Sequence, residues 1–388
     1  MLLGFTTKLK LNNQQRTVMA QHAGYRRWLW NRALSWWSIA YKEGLKPTAN
    51  KLKKFYTKHV KPSYPWQSQL SSKVYQYCFQ DLGNAFENFF KGASYPKFKK
   101  RGVNDSFTID NSGKSIALKG VKTKLPFIGW VSTYEPLPEC QVKKVTISYR
   151  AGDWYISFAY EQNRTGPPKA KTSVGVDLGI KALATLSNGK VFANLHVYRL
   201  AERKLKRLQR SLSRKKKGSA NRLKARFKVA LAHRRVADIR KDYLHKLTSY
   251  LAKNFETVVI EDLSVSSMMA NHKLAKAIGD LGMYEFRRQL EYKCQLYGTE
   301  LVIADRWFPS SKLCFGCGHV KDMPLSERVY NCDKCGLVLD RDLNAAMNLS
   351  NWGRLAPGCL SDGVPPTVPV EAGSKPQCPD MSGVVSVL

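Results

Sequence analysis

Residues 173–177 read SVGVD, a short apolar run that ends in Asp177. A second run of this kind, TVVIE at residues 257–261, ends in Glu261, and a third acid, Asp342, lies in DRDLNAAMNL. Both runs predict buried strands, and an acid at the carboxyl end of a buried strand projects into the mouth of a cleft. Carboxylates there can share Mg²⁺ ions about 3.5–4 Å apart. Two strands and one helix are therefore expected to supply one metal ligand each.

The charge of the whole chain indicates a polyanionic partner. There are 64 Lys and Arg residues against 29 Asp and Glu residues, a formal net charge of +35. Nucleic acid is the leading candidate, because its phosphates neutralise dense positive charge. A membrane surface is the competing partner, but the sequence contains no apolar run long enough to span a bilayer and no signal peptide at MLLGFTTKLKL. We therefore expect a cytoplasmic protein and, with the three acids, a metal-dependent nuclease.

Four of the nine cysteines form two close pairs separated by 14 residues. Gly318 and Gly336 follow the pairs and would let the chain turn back, so that backbone amides face the thiolates. Without a secretion signal a disulfide framework is not expected, and the spacing predicts a zinc ribbon with one structural Zn²⁺. The other five cysteines lack partners at ligand spacing and are expected to be packing or tail residues. The predicted zinc ligands are Cys314, Cys317, Cys332 and Cys335.

Helical patterns dominate the first hundred residues after a short alternating strand, GFTTKLKL. They cover residues 12–44 and 67–91, and the first contains YRRWLWNRALSWWSIAY. Aromatic residues at helical spacing are more often core, whereas the interleaved arginines and the basic stretch YPKFKKRG at residues 95–102 are expected to contact phosphates. The candidate nucleic-acid contacts here are Arg26, Arg27, Arg32, Lys97, Lys99, Lys100 and Arg101.

The sequence pattern changes to a period of two over residues 106–162, which predicts a β-rich domain. GPPKAK at residues 166–171 is a linker by composition. Farther along, residues 201–250 hold 18 basic against three acidic residues and predict an antiparallel helix pair with a basic outer surface. SRKKKGSA breaks this pattern, and nucleic-acid contact is favoured there over an inert surface. The predicted contacts are Arg214, Lys215, Lys216 and Lys217, and the predicted apolar stripe is Leu200, Leu205, Leu208, Leu212, Leu223 and Phe227.

Segments around the second acid carry simpler patterns. LSVSSMMANHKL at residues 263–274 lacks periodicity and predicts a mobile loop that could cover the site. MYEFRRQLEYKCQLYG at residues 283–298 predicts a helix that stops at its glycine, and TELVIAD at residues 299–305 predicts another strand.

Three further acids, Asp262, Asp340 and Asp305, leave alternatives open for the choice of metal ligands. Adjacent strand residues point to opposite faces, so only one of Glu261 and Asp262 can serve the cleft, and we choose Glu261. Asp340 and Asp342 would point about 200° apart on a helix. Asp342 is favoured because Asp340 more naturally caps that helix, but the two must still be distinguished. Asp305 could equally be a capping carboxylate or a ligand.

Five segments in order, VGVDLGI, VVIEDL, FPSSKLCFGCG, YNCDKCG and DRDLNAAMNL, resemble the RuvC-type nuclease of TnpB proteins. That family consists of RNA-guided endonucleases of bacterial insertion sequences, related to compact type V CRISPR effectors. The resemblance covers most of the chain and implies a multidomain α+β fold. A β-barrel wedge domain would be interrupted by a helical recognition domain and followed by an RNase H-like (RuvC) α/β nuclease domain with an inserted zinc ribbon.

The implied boundaries follow the sequence patterns. The wedge domain takes residues 1–10 and 106–165, the recognition domain 11–105, the nuclease domain 171–309 and 338–355, and the zinc ribbon 310–337. The basic helical region at 198–251 lies within the nuclease domain. Residues 356–388, rich in proline and poor in charge, are expected to form a disordered tail that is dispensable for chemistry.

The resemblance also implies an activity. A guide RNA would pair with one strand of target double-stranded DNA while the protein reads a short motif beside the target. By motif position, Asp177, Glu261 and Asp342 would hold two Mg²⁺ ions, for which Mn²⁺ could substitute, and Arg328 would steady the scissile phosphate. The expected assembly is a monomer or weak dimer with one RNA, near the bacterial nucleoid. Two rival functions are a guided DNA-binding regulator without cleavage, disfavoured by the intact acids, and an unguided RNase H-like resolvase or transposase.

Overall fold

The computed structural model describes residues 1–103, 105–163, 170–324 and 326–352. The chain forms two compact units, Met1–Asn163 with Lys204–Arg234, and Arg164–Arg203 with Arg235–Leu388. The predicted tail at 356–388 and residues 166–169 of the predicted linker lie outside the described residues. None of the helices in the described ranges combines the length and apolarity needed to cross a bilayer.

The first unit contains a seven-stranded antiparallel sheet, which confirms the β-rich pattern. Its order is β2-β6-β7-β1-β5-β4-β3. Residues 2–8 of β1 pair with β7, whereas residues 9 and 10 pair with β5, so β1 joins two parts of the sheet. The strands are β1 (Leu2–Lys10), β2 (Ser106–Asp110), β3 (Ala117–Lys119), β4 (Lys122–Leu125), β5 (Gly129–Thr133), β6 (Lys144–Arg150) and β7 (Asp153–Glu161).

The sheet is not closed into a barrel, which corrects the expectation drawn from the resemblance. In the described part of the chain, β2 and β3 end the sheet and no pairing joins them. A barrel requires its first and last strands to share a ladder, and among the described strands the three-residue β3 pairs only with β4.

Helices pack against this sheet in one hydrophobic core. The helical patterns are confirmed as α1 (Asn13–Lys42) and α3 (Ser72–Phe90), with α2 (Ala49–Phe55), a π-helical turn and two 3-10 turns between them. Asn12 starts α1 with a capping box, because its side chain accepts from the Gln15 amide while the Gln15 side chain accepts from the Asn12 amide. Leu29 of α1, Phe79 of α3 and Ile147 of the sheet share the core.

The second unit contains a five-stranded mixed sheet of order β10-β9-β8-β11-β12. Strands β8, β11 and β12 run parallel, whereas β9 and β10 form an antiparallel hairpin beside β8. The strands are β8 (Ala170–Asp177), β9 (Ala182–Leu186), β10 (Val191–Ala193), β11 (Phe255–Glu261) and β12 (Glu300–Ala304). The predicted strands that end in Asp177 and Glu261 are therefore confirmed, and the structure shows in addition that they are neighbours.

The basic region forms α4 (Val197–Ser213) and α5 (Ala220–Asn254), with the predicted break between them. Arg222 closes the intervening loop by donating from Nη1 to the carbonyl oxygens of Leu212 and Lys215, both at 2.9 Å. The prediction of a continuous apolar stripe along these helices is wrong, because its members do not all face the core. Leu205 is 1% exposed, but Leu200 is 80% and Leu223 62% exposed, so spacing alone did not identify the buried side.

The segment predicted as a mobile loop at 263–274 is instead largely helical. It contains α6 (Val265–Ala270) and the start of α7 (His272–Leu281), which Asn271 caps by accepting from the Lys273 amide. The predicted helix that follows is confirmed as α8 (Met283–Tyr297) and ends at Gly298, whose φ is +67°. The chain then forms β12, the short hairpin β13 (Val329–Asn331) and β14 (Val338–Asp340), and α9 (Arg341–Trp352).

Candidate active site

Two of the three candidate carboxylates lie at the carboxyl ends of neighbouring strands in the mixed sheet. Strands β8 and β11 are parallel neighbours, and Val176 pairs with Ile260. The next residue in each strand is the acid, so Asp177 and Glu261 leave the sheet side by side. Ladder register thus accounts for the meeting of residues that are far apart in sequence.

Helix α9 delivers the third acid by packing closely on β8 at Gly175. A Cβ on Gly175 would lie 1.9 Å from the carbonyl oxygen of Ala346 and 2.5 Å from the amide nitrogen of Ser350. Ala345 and Ala346 are buried, and their small side chains allow this close approach of the helix to the sheet. Sequence reasoning missed Gly175, although a glycine inside a strand commonly marks a close backbone approach.

Asp340 and Asp342 have different surroundings at the start of α9. The Oδ1 atom of Asp340 accepts from the amides of Asp342 at 3.0 Å and Leu343 at 3.2 Å, which is an N-cap arrangement. Asp342 lies in the first helical turn and is half-buried. The carboxylate of Asp340 is thus engaged at the helix terminus, and Asp342 is the stronger candidate ligand.

The three acids influence one another electrostatically. Burial raises the pKa of Asp177 well above its usual range, and the negative charges of Glu261 and Asp342 raise that pKa further. The positive charge of Arg341 acts in the opposite direction. Crowded carboxylates with hard oxygen donors fit Mg²⁺, because a cation would offset their repulsion.

Asp262, the neighbour of Glu261, points toward a different set of partners. Its carboxylate accepts from Arg287 at 2.7 Å and Arg306 at 2.5 Å. These two hydrogen bonds lower the pKa of Asp262. Glu261 instead accepts a hydrogen bond from the Ser310 hydroxyl. The two adjacent carboxylates therefore have separate partners, which is consistent with side chains on opposite faces of the strand.

Asp305 has a local structural role. Its Oδ1 atom accepts from the Trp307 amide at 2.8 Å, and its carbonyl oxygen accepts from the Phe308 amide at 3.1 Å. These bonds fix the turn after β12. The capping alternative considered for Asp305 is the one that its contacts support.

The four predicted zinc ligands form one compact cluster. Their sulfur atoms all lie within 4.8 Å of one another, with Cys314 and Cys335 3.6 Å apart and Cys317 and Cys332 3.5 Å apart. Tetrahedral Zn–S bonds of about 2.3 Å fit such spacing. Among the described residues this is the one group of three or more possible ligands that is so tight, and the three carboxylates are spaced more widely.

The two cysteine pairs share one backbone geometry, as their matching glycines predicted. Gly318 and Gly336 have φ angles of +72° and +71°, and their amides donate to the carbonyl oxygens of Cys314 and Cys332 at 2.9 and 3.0 Å. Buried Tyr330 supports the first pair, since its hydroxyl donates to the carbonyl oxygen of His319 at 3.1 Å.

Two buried asparagines join the cysteine cluster to α9, and sequence reasoning missed both. Asn344 accepts from the Phe315 amide at 3.0 Å and donates to the Leu313 carbonyl oxygen at 2.7 Å. Asn348 donates to the carbonyl oxygens of Ser310 at 2.8 Å and Leu313 at 2.7 Å. A buried asparagine on a helix could have signalled such a bridge. The helix that carries Asp342 is therefore tied to the cysteine segment.

Arg328 lies beside the start of α9 with an exposed side chain. Its carbonyl oxygen accepts from the Arg341 amide at 2.9 Å, which places Arg328 close in space to Asp342. Arg341 was not singled out from the sequence. Its guanidinium donates to the carbonyl oxygens of Pro324 at 2.9 Å and Glu327 at 3.3 Å, so it also holds the segment that contains Arg328.

The arginines predicted to contact nucleic acid on α1 differ in exposure. Arg26 is buried and ion-paired with Asp81 at 2.5 Å, so its guanidinium holds α1 against α3 and belongs to the protein's own packing. Arg27 pairs with Asp105 at 2.6 Å. Arg32 lies over the Trp28 ring, 4.4 Å from its centroid.

The remaining predicted contacts are mostly exposed. Lys99 is the exception, because its Nζ lies 4.0 Å from the centroid of the Trp30 ring. Burial, followed by the charge of Arg26, lowers the pKa of Lys99 to about 8. The exposed residues are Lys97, Lys100 and Arg101 after α3, and Arg214, Lys215, Lys216 and Lys217 between α4 and α5.

Comparisons with known proteins place these features in one group of relatives. Residues 157–272 match the family described as "Probable transposase", residues 284–349 the "Cas12f1-like, TNB domain" family and residues 1–46 a "Helix-turn-helix domain" family. A Streptomyces pristinaespiralis protein named "Putative RNA-guided DNA endonuclease" is 45% identical over 77% of this chain and 75% of its own length. "Putative RNA-guided DNA endonuclease InsQ" of Escherichia coli K12 is 36% identical over 92% and 94%.

A solved structure shares the fold. The protein in the cryo-EM structure of the Cas12f1-sgRNA-target DNA complex aligns with a TM-score of 0.53 and 12% identity. The alignment covers 90% of this chain and 99% of that one. The mixed α/β multidomain architecture is thus similar to that of a Cas12 effector.

Proposed function

Because this chain belongs to the TnpB family of insertion-sequence proteins, we propose that it is an RNA-guided DNA endonuclease that hydrolyses phosphodiester bonds. One observation carries the cleavage step, namely that the paired strands β8 and β11 end in Asp177 and Glu261 side by side while the helix that carries Asp342 packs on β8 at Gly175. Carboxylates that two strands and a helix bring together repel one another, and bound cations in a nuclease centre would offset that repulsion. The names of the relatives support RNA guidance.

In the proposed mechanism, Asp177, Glu261 and Asp342 would hold the metal ions through their carboxylate oxygens. Two Mg²⁺ ions, when bound, would supply an activated water and stabilise the leaving 3′-oxygen, and Mn²⁺ could replace them. The Ser310 hydroxyl orients Glu261, and the Asp340 cap fixes the first turn that presents Asp342. Arg328 would contact the scissile phosphate from beside α9. The products would carry 5′-phosphates.

The cysteine cluster would bind one structural Zn²⁺ and thereby fix α9. Its four thiols fit the ion, and Asn344 and Asn348 transmit the constraint to the helix that carries Asp342. This role is structural because all four tetrahedral positions would be taken by sulfur.

The exposed basic residues would hold the backbone of a guide RNA and of the target double-stranded DNA. Arg32, Lys97 and the loop at 214–217 are the proposed contacts, since phosphate binding needs accessible cations. Base pairing would choose the sequence, whereas the protein would read a short motif beside the target. In domain terms, the sheet of the first unit would be the wedge, α1–α3 the recognition domain and the mixed sheet the RuvC-like nuclease. One protein, or a weak dimer, would bind one RNA in the bacterial cytoplasm.

The decisive experiment is expression with the surrounding insertion-sequence end, followed by sequencing of co-purified RNA and a cleavage assay with matched DNA. Asp177→Asn, Glu261→Gln and Asp342→Asn should each lower cleavage by at least about 10³-fold while retaining the RNA. Asp262→Asn is the matched control for Glu261→Gln, because it changes an adjacent carboxylate that is engaged with Arg287 and Arg306. It should keep cleavage within a few-fold.

Other outcomes identify the rival functions. Tight, RNA-dependent binding to matched DNA without cleavage would indicate a guided regulator. Absence of co-purified RNA, together with equal cutting of any duplex, would indicate an unguided nuclease and overturn the proposal.

A further inference from the structure

The first unit contains an open groove of about 530 Å³ beside α1. The residues that line it belong to the first unit, whereas the three acids of the candidate active site belong to the second. Trp28 of α1 and Trp66 of the turn Pro65–Gln69 line it, with ring centroids 5.7 Å apart and planes at 80°. Tyr25 meets Trp66 edge-on at 5.5 Å. Trp66 remains 41% exposed, so part of a large aromatic surface faces the open space.

Cations border the same space. Arg27, Lys99 and Arg101 line the groove, and Arg101 is exposed. Arg27 is held by Asp105 at 2.6 Å, and Lys99 is held against Trp30. Lys99 is still largely protonated at neutral pH, since its lowered pKa is about 8. The net effect is a positive rim around an aromatic wall.

Hydrogen bonds make this arrangement a built site. Asn31 donates to the Lys99 carbonyl oxygen at 3.0 Å and accepts from the Lys99 amide at 2.7 Å, which fixes the basic segment to α1. The exposed amides of Gln21 and Gln69 also line the groove. Side-chain amides can donate to and accept from the edge of a base.

We propose that this groove binds one unpaired nucleotide of the nucleic acid held by the protein, with its base against Trp66 and its phosphate near Arg101. Aromatic walls bind bases of any sequence by stacking, and flanking cations bind the phosphate. A base in a duplex has both faces covered by its neighbours, so a base must be unpaired and unstacked to enter. The inference rests on the proposed function for the presence of nucleic acid. The nucleotide could belong to the RNA or to a displaced DNA strand, which share this chemistry.

Substitution of Trp66 tests the stacking surface in the full-length protein. Trp66→Ala should weaken binding of the co-purified RNA, or of the DNA strand in the ternary complex, by about 5- to 150-fold, the range for stacking of one base. Trp66→Phe should restore most of the loss. Phe90→Ala is the matched control, because Phe90 is 66% exposed in the same unit but does not line the groove. Arg101→Ala should also weaken binding and reduce its salt dependence.

Ultraviolet cross-linking provides a measurement that does not depend on a variant's folding. After trypsin digestion of wild-type complex, cross-linked nucleotides should be found on the peptides at residues 28–32 and 59–73, which contain Trp28 and Trp66. Ribose or deoxyribose in the adduct, with and without target DNA, identifies the strand. If these two peptides were cross-linked to added free nucleotide but not to the RNA or DNA of the complex, the proposal would be overturned.

Failure of this inference can be separated from failure of the proposed function. If RNA co-purifies and guides cleavage, but Trp66→Ala binds RNA and DNA normally and neither peptide is cross-linked, only the groove assignment is wrong. If no RNA co-purifies and cleavage is unguided, the proposed function itself fails.

Discussion

Gly175 of β8 lies directly beneath Ala346 of α9, so close that a Cβ on the glycine would be 1.9 Å from the Ala346 carbonyl oxygen. Asp177 is two residues after Gly175, and Asp342 is one helical turn before Ala346. The close approach of the β8 and α9 backbones therefore sets the distance between the strand that carries Asp177 and the helix that carries Asp342. A side chain at position 175 would change that distance.

Gly175→Ala should unfold or displace α9 and abolish cleavage. The added methyl group meets backbone atoms that cannot rotate away, and we expect a cost of about 3 kcal/mol or more in the free energy of unfolding. Urea denaturation and the cleavage assay measure both effects. Gly4→Ala is the matched control, because Gly4 also lies inside a strand and no atom of the described residues lies within 4 Å of its added Cβ. Equal stability of the two variants would contradict the assigned role of Gly175.

Substitutions at the start of α9 should distinguish Asp340 from Asp342. Asp340→Asn retains an oxygen that can accept from the Asp342 amide and should keep most cleavage activity. Asp340→Ala removes the cap and should cost about 1 kcal/mol of stability. Asp342→Asn should be inactive without a comparable loss of stability. Thermal melts and cleavage rates measured together test the distinction, and an inactive but stable Asp340→Asn would reverse the assignment.

Local sequence patterns predicted the features that depend on neighbouring residues in the sequence, namely the buried strands and the cysteine pairs. The acids that end SVGVD and TVVIE were found because buried strands have a continuous apolar pattern, and the cysteine pairs because metal ligation constrains spacing. The short helices at 265–270 and 272–281 were missed because they have too few turns to establish a period.

Contacts between distant parts of the chain were not available from periodicity. Arg26 belongs to a basic and aromatic segment, yet its partner Asp81 lies 55 residues away and removes it from the surface. Gly175 and Asn344 had no local signal of comparable strength, because their roles depend on which helix packs over which strand. Closure of the seven-stranded sheet likewise depends on pairing between its end strands, which strand patterns do not specify.

Removal of zinc should impair cleavage more than RNA binding. Without the metal, the cysteine segment loses its order, and Asn344 and Asn348 lose partners that hold α9. Metal analysis should find one zinc per chain, and Cys317→Ser should lower zinc content and cleavage together. Cys140→Ser, which alters a cysteine outside the cluster, should change neither. Full cleavage by zinc-free protein would contradict the proposed coupling.

Buried Lys293 should make stability depend on alkaline pH. Its Nζ donates to the His245 carbonyl oxygen at 2.8 Å and to the Thr248 hydroxyl oxygen at 2.7 Å, and burial, followed by the charge of Lys253, lowers its pKa from 10.5 to about 8. As pH falls from about 10.5 to about 8, the unfolded chain takes up this proton and the folded chain does not, so stability falls by up to about 3 kcal/mol.

Lys293→Met removes this titration. The difference in the free energy of urea unfolding between wild type and Lys293→Met should therefore shift in favour of wild type as pH rises through that window. Lys293→Arg keeps a buried charge throughout, because a guanidinium stays protonated there. It should become progressively less stable than wild type above about pH 8. A difference between wild type and Lys293→Met that stays constant over the window would show that folding does not perturb the Lys293 ammonium.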